Sequence, residues 1–287
     1  MAKPLPSDDG QRSPVDKRPD PFKHTLGHTA FELFGIGLAL TLTCLLLYRC
    51  LHGISQAWEV DGAAAGNSLA LVLAGAVFSG YLLADLGSGV VHFTFDRFFS
   101  IDTFVLGRHF VHPFRRHHSD PKDITLHDFI ETNGNNCLAA CCALIPLALI
   151  PFDYMIGWQL FLVAIFVFAS IGTFGTNQFH KWAHMQHPPA FAVWLQQKHL
   201  ILPRDHHQIH HTHPYSTHYC ITTGWLNGIL LKIHFWRFLE LMGERVLRLP
   251  MFTEVTAWEQ LPGSTAYAER AEMATLDVDE PHFSESR

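Results

Sequence analysis

Four apolar stretches limit what this chain can fold into. Residues 29–51 and 69–92 each provide the roughly 20 apolar residues that a helix needs to cross a bilayer core. Residues 158–176 have an ordinary length for a span, and the shorter stretch 137–151 precedes them by a short connection. A buried hairpin in a soluble core is the alternative for these two. Four such segments in 287 residues favour an all-α membrane protein with four transmembrane helices.

Lysine and arginine residues predict how these helices are oriented. Residues 1–28 and the loop 93–136 carry five each, whereas residues 52–68 and 152–157 carry none. Loops rich in these residues remain on the cytoplasmic side of a membrane. We therefore expect both termini and the long middle loop in the cytoplasm, at a bacterial inner membrane or the endoplasmic reticulum. Of all the histidines, His52 alone then falls on the opposite side.

The two ends of the chain differ in composition from the membrane domain, which we place at residues 29–250. Residues 1–28 are polar, and they contain neither the apolar core nor the cleavage site of a secretory signal. Residues 251–287 form an acidic tail, in which residues 254–287 hold eight acids and two bases and account for the net charge of −6. Because both ends are poor in apolar residues, we expect disorder in the first and partial disorder in the second.

Two later segments mix apolar and basic residues at helical spacing, namely residues 189–202 and 229–248. Helices of this kind lie along lipid headgroups with their apolar face in the membrane. Packing as ordinary helices of a cytoplasmic cap is an equally good interpretation. The sequence thus predicts a histidine-rich cytoplasmic cap with interfacial helices after the last span.

Histidine is the unusual residue of this chain, because its 21 copies outnumber the 20 lysines and arginines. Many of them fall in four short motifs: an HxxxD motif at the end of the second apolar stretch, RRHH, an HxxxH motif after the fourth stretch, and HHxxHH. Residues three or four apart on a helix share one face, so each spaced motif directs two or more side chains at one centre. The candidate metal ligands are His92, Asp96, His117, His118, His180, His184, His206, His207, His210 and His211.

These candidates are too many for one ion, because a zinc site uses three or four protein ligands. Imidazole and carboxylate groups without thiolates suit iron, zinc, copper or nickel. The six cysteines contain no CxxC pair, and we expect them to be free thiols in or beside apolar segments. A two-metal centre with mainly imidazole ligands is the simplest interpretation, and exposed histidines without a function are the alternative.

Other polar residues near the motifs are candidates for supporting roles. His127 and His199 are candidates for additional metal ligands. Asp85, inside the second apolar stretch, is costly in lipid and is expected to hydrogen-bond a ligand imidazole. The run ETNGNN is either part of this set or a turn before a helix. Residues expected to support the ligands or hold water are Glu131, Asn133, Asn136 and Asp205.

Four strings in the chain, RRHHSDPKDITLHDFIETNGNNC, TNQFHKWAH, LPRDHHQIHH and CITTGWLN, resemble the plasmanylethanolamine desaturase family, which includes the Kua and CarF proteins. The similarity covers about residues 80–240. It implies an integral membrane desaturase with two iron ions and a histidine-rich cytoplasmic site. The ligand roles that the resemblance implies fall on the ten candidates above, with His206 the last of them.

The resemblance also implies a reaction. The substrate is a 1-O-alkyl-2-acyl-glycerophosphoethanolamine, an ether phospholipid, and its alkyl chain loses two hydrogens next to the ether oxygen to give a vinyl ether lipid, a plasmalogen. A C–H bond of this kind has no acidic proton, so O2 is required as co-substrate. Because the chain has no GxGxxG or other nucleotide-binding signature, an external donor such as cytochrome b5 or a ferredoxin-like protein with its reductase supplies the electrons. No nucleic-acid partner is expected.

Three other functions remain compatible with the sequence. A hydroxylase would use the same ligands and return oxygen to the carbon. A fatty-acyl desaturase would act on an ester-linked chain. A divalent-metal transporter is a different class, but transporters place their ligands near the middle of the membrane, whereas these motifs follow the ends of the apolar stretches.

Overall fold

The computed structural model describes residues 25–154 and 157–252. Regular structure within them is helical, which confirms the all-α class, and their one β contact is an isolated bridge between Phe98 and Met251. Residues 1–24 and 253–287, which include most of the predicted disordered segment and acidic tail, lie outside the described residues. The α-helices are α1 Leu26–Asp61, α2 Ala63–Arg97, α3 His112–Ser119, α4 Phe129–Leu149, α5 Gly157–His184, α6 Ala190–Gln197, α7 Arg204–His210, α8 Asn227–Lys232 and α9 Phe235–Leu241.

Three of these helices are long and apolar enough to cross a membrane, at Leu26–Val60, Leu69–Arg97 and Gly157–His184. At most 44% of the most apolar window of any of them is buried inside the protein. Their remaining surface is apolar and unshielded, which indicates a membrane protein. The predicted span 137–151 corresponds to the second half of α4, which is not one of the three. The first half of α4 contains the polar run ETNGNN, so the apolar part of this helix is short.

Helices α2 and α5 pack so closely that there is no room for larger side chains at two glycines. A Cβ atom on Gly80 would lie 2.6 Å from the carbonyl oxygen of Ile165, and one on Gly172 would lie 2.8 Å from the Cβ atom of Ala84. Small residues permit such close approach between membrane helices. The contact fixes the end of α2, which carries His92, beside the end of α5.

A loop at residues 217–226 fastens the segment after α5 onto α2. The carboxylate of Asp85 accepts hydrogen bonds from the backbone N–H groups of Thr223, Gly224 and Leu226, at 2.7, 2.9 and 3.1 Å. The Thr222 hydroxyl adds a hydrogen bond to the carbonyl of Ala84, at 3.2 Å. Asp85 is fully buried, and these backbone donors offset the cost of burying its charge.

The two segments predicted as cap or interfacial helices are helical but interrupted. Residues 189–202 contain α6, and residues 229–248 contain most of α8, all of α9 and a π-helical turn at Met242–Val246. Large apolar side chains on these helices are exposed, among them Phe191, Trp194, Ile229 and Phe238. The buried side of α9 contributes Trp236, which packs against Tyr219 and Phe93 beneath the histidine motifs.

Candidate metal centre

The structure collects nine of the ten predicted ligands into two neighbouring groups. Within each group the candidate ligand atoms all lie within 4.8 Å of one another. The first, the five-histidine group, consists of His117, His180, His184, His207 and His211. The second, the Asp96 group, consists of His92, Asp96, His118 and His210.

Helical spacing builds the five-histidine group. His180 and His184 lie one turn apart on α5, and their Nε2 atoms are 3.3 Å apart. His207 and His211 are likewise four residues apart, on α7 and at its C-cap, with Nε2 atoms 3.0 Å apart. The Nε2 atom of His180 lies 2.8 Å from that of His207, and His117 on α3 completes the group with its Nε2 atom 2.9 Å from that of His211.

The Asp96 group forms around one carboxylate oxygen. Asp96 Oδ2 lies 3.3 Å from His92 Nε2, one turn earlier on α2, and 3.0 Å from His118 Nε2. The Nε2 atom of His210 lies 3.6 Å from the same oxygen and 3.2 Å from that of His118. His92 and Asp96, which the sequence places on one helix face, thus lie in the same group.

Adjacent residues in two motifs serve different groups. His117 belongs to the five-histidine group and His118 to the Asp96 group, because neighbouring residues on a helix point about 100° apart. The sequence placed His207 with both His210 and His211. The structure keeps His207 with His211 and turns His210 to the Asp96 group. Helices α3 and α7 therefore each contribute to both groups.

Backbone carbonyls orient two imidazoles of the Asp96 group. His92 Nδ1 donates to the carbonyl of Tyr219 at 3.2 Å, and His210 Nδ1 donates to the carbonyl of Thr217 at 2.8 Å. Both side chains are fully buried. With the proton on Nδ1, the lone pair of Nε2 faces the centre of the group, which is the arrangement found in histidines that bind metals.

Burial favours the neutral form of four of the grouped imidazoles. The pKa of His117, His207 and His210 is well below its ordinary value, chiefly because burial disfavours the charged ring and also because neighbouring histidines repel a positive charge. The pKa of His211 is lowered for the same reasons. A neutral imidazole keeps the lone pair that a metal requires.

The five-histidine group cannot satisfy itself by hydrogen bonding. Four Nε2–Nε2 contacts of 2.8 to 3.3 Å join its five rings. Each Nε2 atom carries either one hydrogen or one lone pair, so five such atoms form at most two hydrogen bonds. Two nitrogens bound at right angles to one ion, each about 2.1 Å away, lie about 3 Å apart. The residues of this group therefore fit a metal ion, and those of the Asp96 group add a carboxylate to offset metal charge.

His206 lies outside both groups. Its Nε2 atom accepts a hydrogen bond from Asn227 Nδ2 at 3.1 Å, and its ring packs against that of His218. It precedes His207 on α7 and so points away from the five-histidine group. The geometry makes His206 a support for the turn before α8.

Three other predicted residues also lie away from the two groups. Both carboxylate oxygens of Asp85 bind backbone N–H groups in the loop, so the expected hydrogen bond to a ligand imidazole is replaced by this anchor. His199 is exposed, and its carbonyl accepts a hydrogen bond from Trp225 Nε1 at 2.6 Å. Asp205 is exposed on the first turn of α7.

A cavity adjoins the five-histidine group, between α3, α4 and α5. We call it the metal-side pocket. His117 and His180 line one end, and Phe110 and Phe114 form part of its wall. The predicted supporting residues His127, Glu131 and Asn136 line it as well, together with Asp123, Asn135 and Asn177.

The outer end of the metal-side pocket holds a charged cluster. His127 Nε2 lies 3.3 Å from Asp123 Oδ2 and 3.6 Å from Glu131 Oε1, and Arg116 Nε lies 3.2 Å from Asp123 Oδ2. Burial would lower the pKa of His127, but the two carboxylates outweigh this effect and raise it. Burial would raise the pKa of Asp123, but His127 and Arg116 lower it. His127 is thus paired with acids and belongs to neither ligand group.

The run ETNGNN lies inside α4, whose first turn is capped by the Asp128 side chain. Asn133 is fully buried and donates to the carbonyl of Phe129 at 2.9 Å. The sequence missed Asn177, which donates to the carbonyl of Thr132 at 2.8 Å. Its position three residues before His180 was a usable signal. The carbonyls of Thr217 and Tyr219 were missed because backbone groups leave no sequence pattern.

The apolar helices and the two buried ligand groups define a membrane protein with a histidine-rich site that could hold metal ions. Residues 81–249 match the lipid desaturase domain family. The chain belongs to this family and is an oxidoreductase.

Comparison with curated proteins identifies relatives of the same kind. The chain is 48% identical over 207 residues to the plasmanylethanolamine desaturase of Myxococcus xanthus, covering 72% of this chain and 68% of that protein. It is 46% identical over 178 residues to plasmanylethanolamine desaturase 1 of Mus musculus, covering 59% and 64%. It is 35% identical over 178 residues to the chloroplastic fatty acid desaturase 4 of Arabidopsis thaliana, covering 61% and 53%. The matched region is thus less than two thirds of the mouse and plant proteins. No solved structure matches the chain.

Proposed function

We propose that this chain is a plasmanylethanolamine desaturase, which converts the 1-O-alkyl chain of an ether phospholipid to a vinyl ether. The observation that carries the proposal is the 48% and 46% identity to two proteins of that name. All nine residues of the two ligand groups lie within the matched lipid desaturase domain. The activity therefore concerns the same part of the chain that the comparison covers.

We propose two iron ions, one in each group, with O2 as co-substrate. Iron with O2 supplies the oxidant that removes one hydrogen from each of two adjacent carbons. The overall reaction takes up O2, two electrons and two protons, and it releases the alkene and two water molecules. The ligand set in the proposal is the five-histidine group and the Asp96 group, without His206.

The residues around the metals have separate tasks in this reaction. The carbonyls of Thr217 and Tyr219 hold the imidazoles of His210 and His92 in place. Phe110 and Phe114 give the metal-side pocket apolar walls, which exclude bulk water from the reacting carbon atoms. Because the ligands are already held in position, the alkyl chain of the lipid can reach the oxidant without further movement of the ligands.

The topology we propose has four spans, with the second half of α4 as the third. Its support is the distribution of basic residues, which favours a cytoplasmic position for both termini and the ligand groups. The exposed side chains of Phe191, Trp194 and Phe238 suit contact with the headgroup region. We propose cytochrome b5 or a ferredoxin-like protein with its reductase as the electron donor, because the chain has no nucleotide-binding fingerprint.

A fatty-acyl desaturase is the second candidate, since the plant relative at 35% identity is named a fatty acid desaturase. Hydroxylation differs from both desaturation reactions in its product, which gains one oxygen atom. The test is expression in a host that lacks vinyl ether lipids, supplied with labelled alkyl-glycerol. Acid-labile vinyl ether lipid, formed by loss of two hydrogens from the labelled alkyl chain, is the expected product. A new double bond in the acyl chain alone, or a gain of one oxygen, contradicts the proposal. The His117→Ala variant is the inactive control.

A further inference from the structure

A second cavity lies deeper among the membrane helices. We call it the membrane groove. Its walls come from α2, α4 and α5. Apolar and small residues line it, including Gly87, Ala140, Ala143 and Ala169. Ala143 is exposed, so the groove opens on the outer surface of the helices, where a bilayer would surround them.

The membrane groove meets the metal-side pocket. Asn136 lines the pocket and Thr173 lines the groove, and Asn136 Nδ2 lies 3.5 Å from the carbonyl oxygen of Thr173. On α2 the groove ends at Val91, which directly precedes the ligand residue His92. The two cavities therefore lie side by side, with the contact between Asn136 and Thr173 separating them.

Gly87 shows that the groove is open at its centre. Among the described residues, no atom of a neighbouring element lies within 4 Å of the place where its Cβ atom would be. Gly80 and Gly172 are different, because a Cβ atom on either would lie within 2.8 Å of the opposite helix. Helix packing explains those two glycines. It does not explain Gly87, although glycine is less favourable than alanine inside a helix.

We propose that the membrane groove holds the alkyl chain of the lipid substrate. This inference rests on the proposed function. The carbons next to the ether oxygen lie in the metal-side pocket, and the rest of the chain runs back along Val91, Gly87 and Leu83. From His92 to Leu83 this path follows about 14 Å of helix. Gly87 and Ala143 are then specificity-determining residues, because their small size leaves room for the chain.

The properties of the groove match this occupant. A hydrocarbon chain requires an apolar lining without unpaired polar groups, and the hydroxyl of Ser170 in the groove is paired with that of Thr43 at 2.6 Å. The polar cluster of Asp123 and His127 lies at the opposite end of the path, on the side suited to the glycerol and headgroup.

The first test narrows the groove and varies the chain. Gly87→Leu and Ala143→Leu are compared with Ala74→Leu, which adds the same volume as Ala143→Leu at an exposed position of α2 outside the groove. The lipids carry a long or a short alkyl chain. We expect the groove variants to lower kcat/KM for the long chain at least about tenfold relative to the short chain, and the control to leave the ratio unchanged.

Equal loss for both chains, or an unchanged ratio in both groove variants, overturns the proposal. Gly87→Ala and thermal unfolding serve as folding controls. A groove variant that misfolds leaves the other variant and the labelling experiment below as the deciding measurements.

The second test requires no turnover. The full chain in vesicles is photolabelled with ether lipids that carry a diazirine either near the ether oxygen or far along the alkyl chain, and labelled peptides are identified by mass spectrometry. We expect the distal probe to label residues 83–91 and 139–144, and the proximal probe to label the metal-side pocket. Labelling by the distal probe that excess unlabelled ether lipid does not reduce overturns the proposal. Specific labelling without any vinyl ether product would contradict the proposed function alone.

Discussion

Replacement of Asp85 tests whether one buried carboxylate supports both the fold and the metals. Its oxygens accept three backbone hydrogen bonds from the loop that also carries Thr217 and Tyr219. In Asp85→Ala these donors lose their partner. At about 1–3 kcal/mol for each buried donor left unpaired, two fully buried groups and one half-buried group, counted at half of that cost, together cost about 2.5–7.5 kcal/mol. Asp85→Asn keeps one acceptor oxygen, and we expect a cost of about 1–3 kcal/mol.

Loss of the Asp85 carboxylate should also weaken metal binding at one of the two ligand groups. The carbonyls of Thr217 and Tyr219 orient His210 and His92, which both belong to the Asp96 group. Loss of such a partner lowers metal affinity by about 10–100-fold. We therefore expect Asp85→Ala to weaken binding of one of the two proposed iron ions, the one in the Asp96 group, and to spare the other.

The assay combines thermal unfolding in detergent with iron content by elemental mass spectrometry. Asp205→Asn is the matched control, since this acid is exposed. The expected order of stability is wild type and Asp205→Asn, then Asp85→Asn, then Asp85→Ala. An Asp85→Ala protein that unfolds at the wild-type temperature and keeps both irons would refute the reasoning.

Four further outcomes are expected. His207→Ala and His210→Ala should each remove one iron, from the five-histidine group and the Asp96 group respectively, and abolish vinyl ether formation; full iron content in both variants would contradict the grouping. His206→Ala should keep both irons, as measured by elemental analysis. Removal of iron with a chelator should abolish vinyl ether formation. Recovery of this activity after iron is added back would exclude unfolding as the cause of the loss. His127→Gln should destabilise the protein at pH values below 6.5, the ordinary pKa of histidine. This loss of stability should become smaller as the pH rises through the raised pKa of His127, because the wild-type protein then loses its ion pair with Asp123 as well. Asp123, whose pKa is lowered, keeps its side of the ion pair until the pH falls below its ordinary value of 3.8.

The helical class and the ligand types were predictable because both depend on local patterns. Apolar stretches of sufficient length indicate spans, and a spacing of four residues brings His180 and His184 together on one face. The shorter stretch in α4 remains a proposal as a span. Its apolar half follows a polar half in one continuous helix, and a hydropathy pattern alone does not decide how such a helix meets a membrane.

The partition of ligands between two groups depends on tertiary packing, which spacing does not specify. His118 and His210 meet across 92 positions of the chain, and only the placement of α3 against α7 decides which histidines share a centre. Asp85 was misassigned for a related reason. A carboxylate inside an apolar stretch requires partners, but the sequence does not distinguish an imidazole from three backbone N–H groups.

The shared use of α3 and α7 has an evolutionary consequence. One inserted residue between His207 and His210 would rotate His210 out of the Asp96 group and His211 out of the five-histidine group at once, because both residues follow the insertion. One inserted residue between His117 and His118 would turn these two ligands away from their present relative orientation, so that they could no longer serve the two groups together. A substitution of one histidine affects a single group, whereas these two short runs must be inherited at fixed length for as long as both groups are retained.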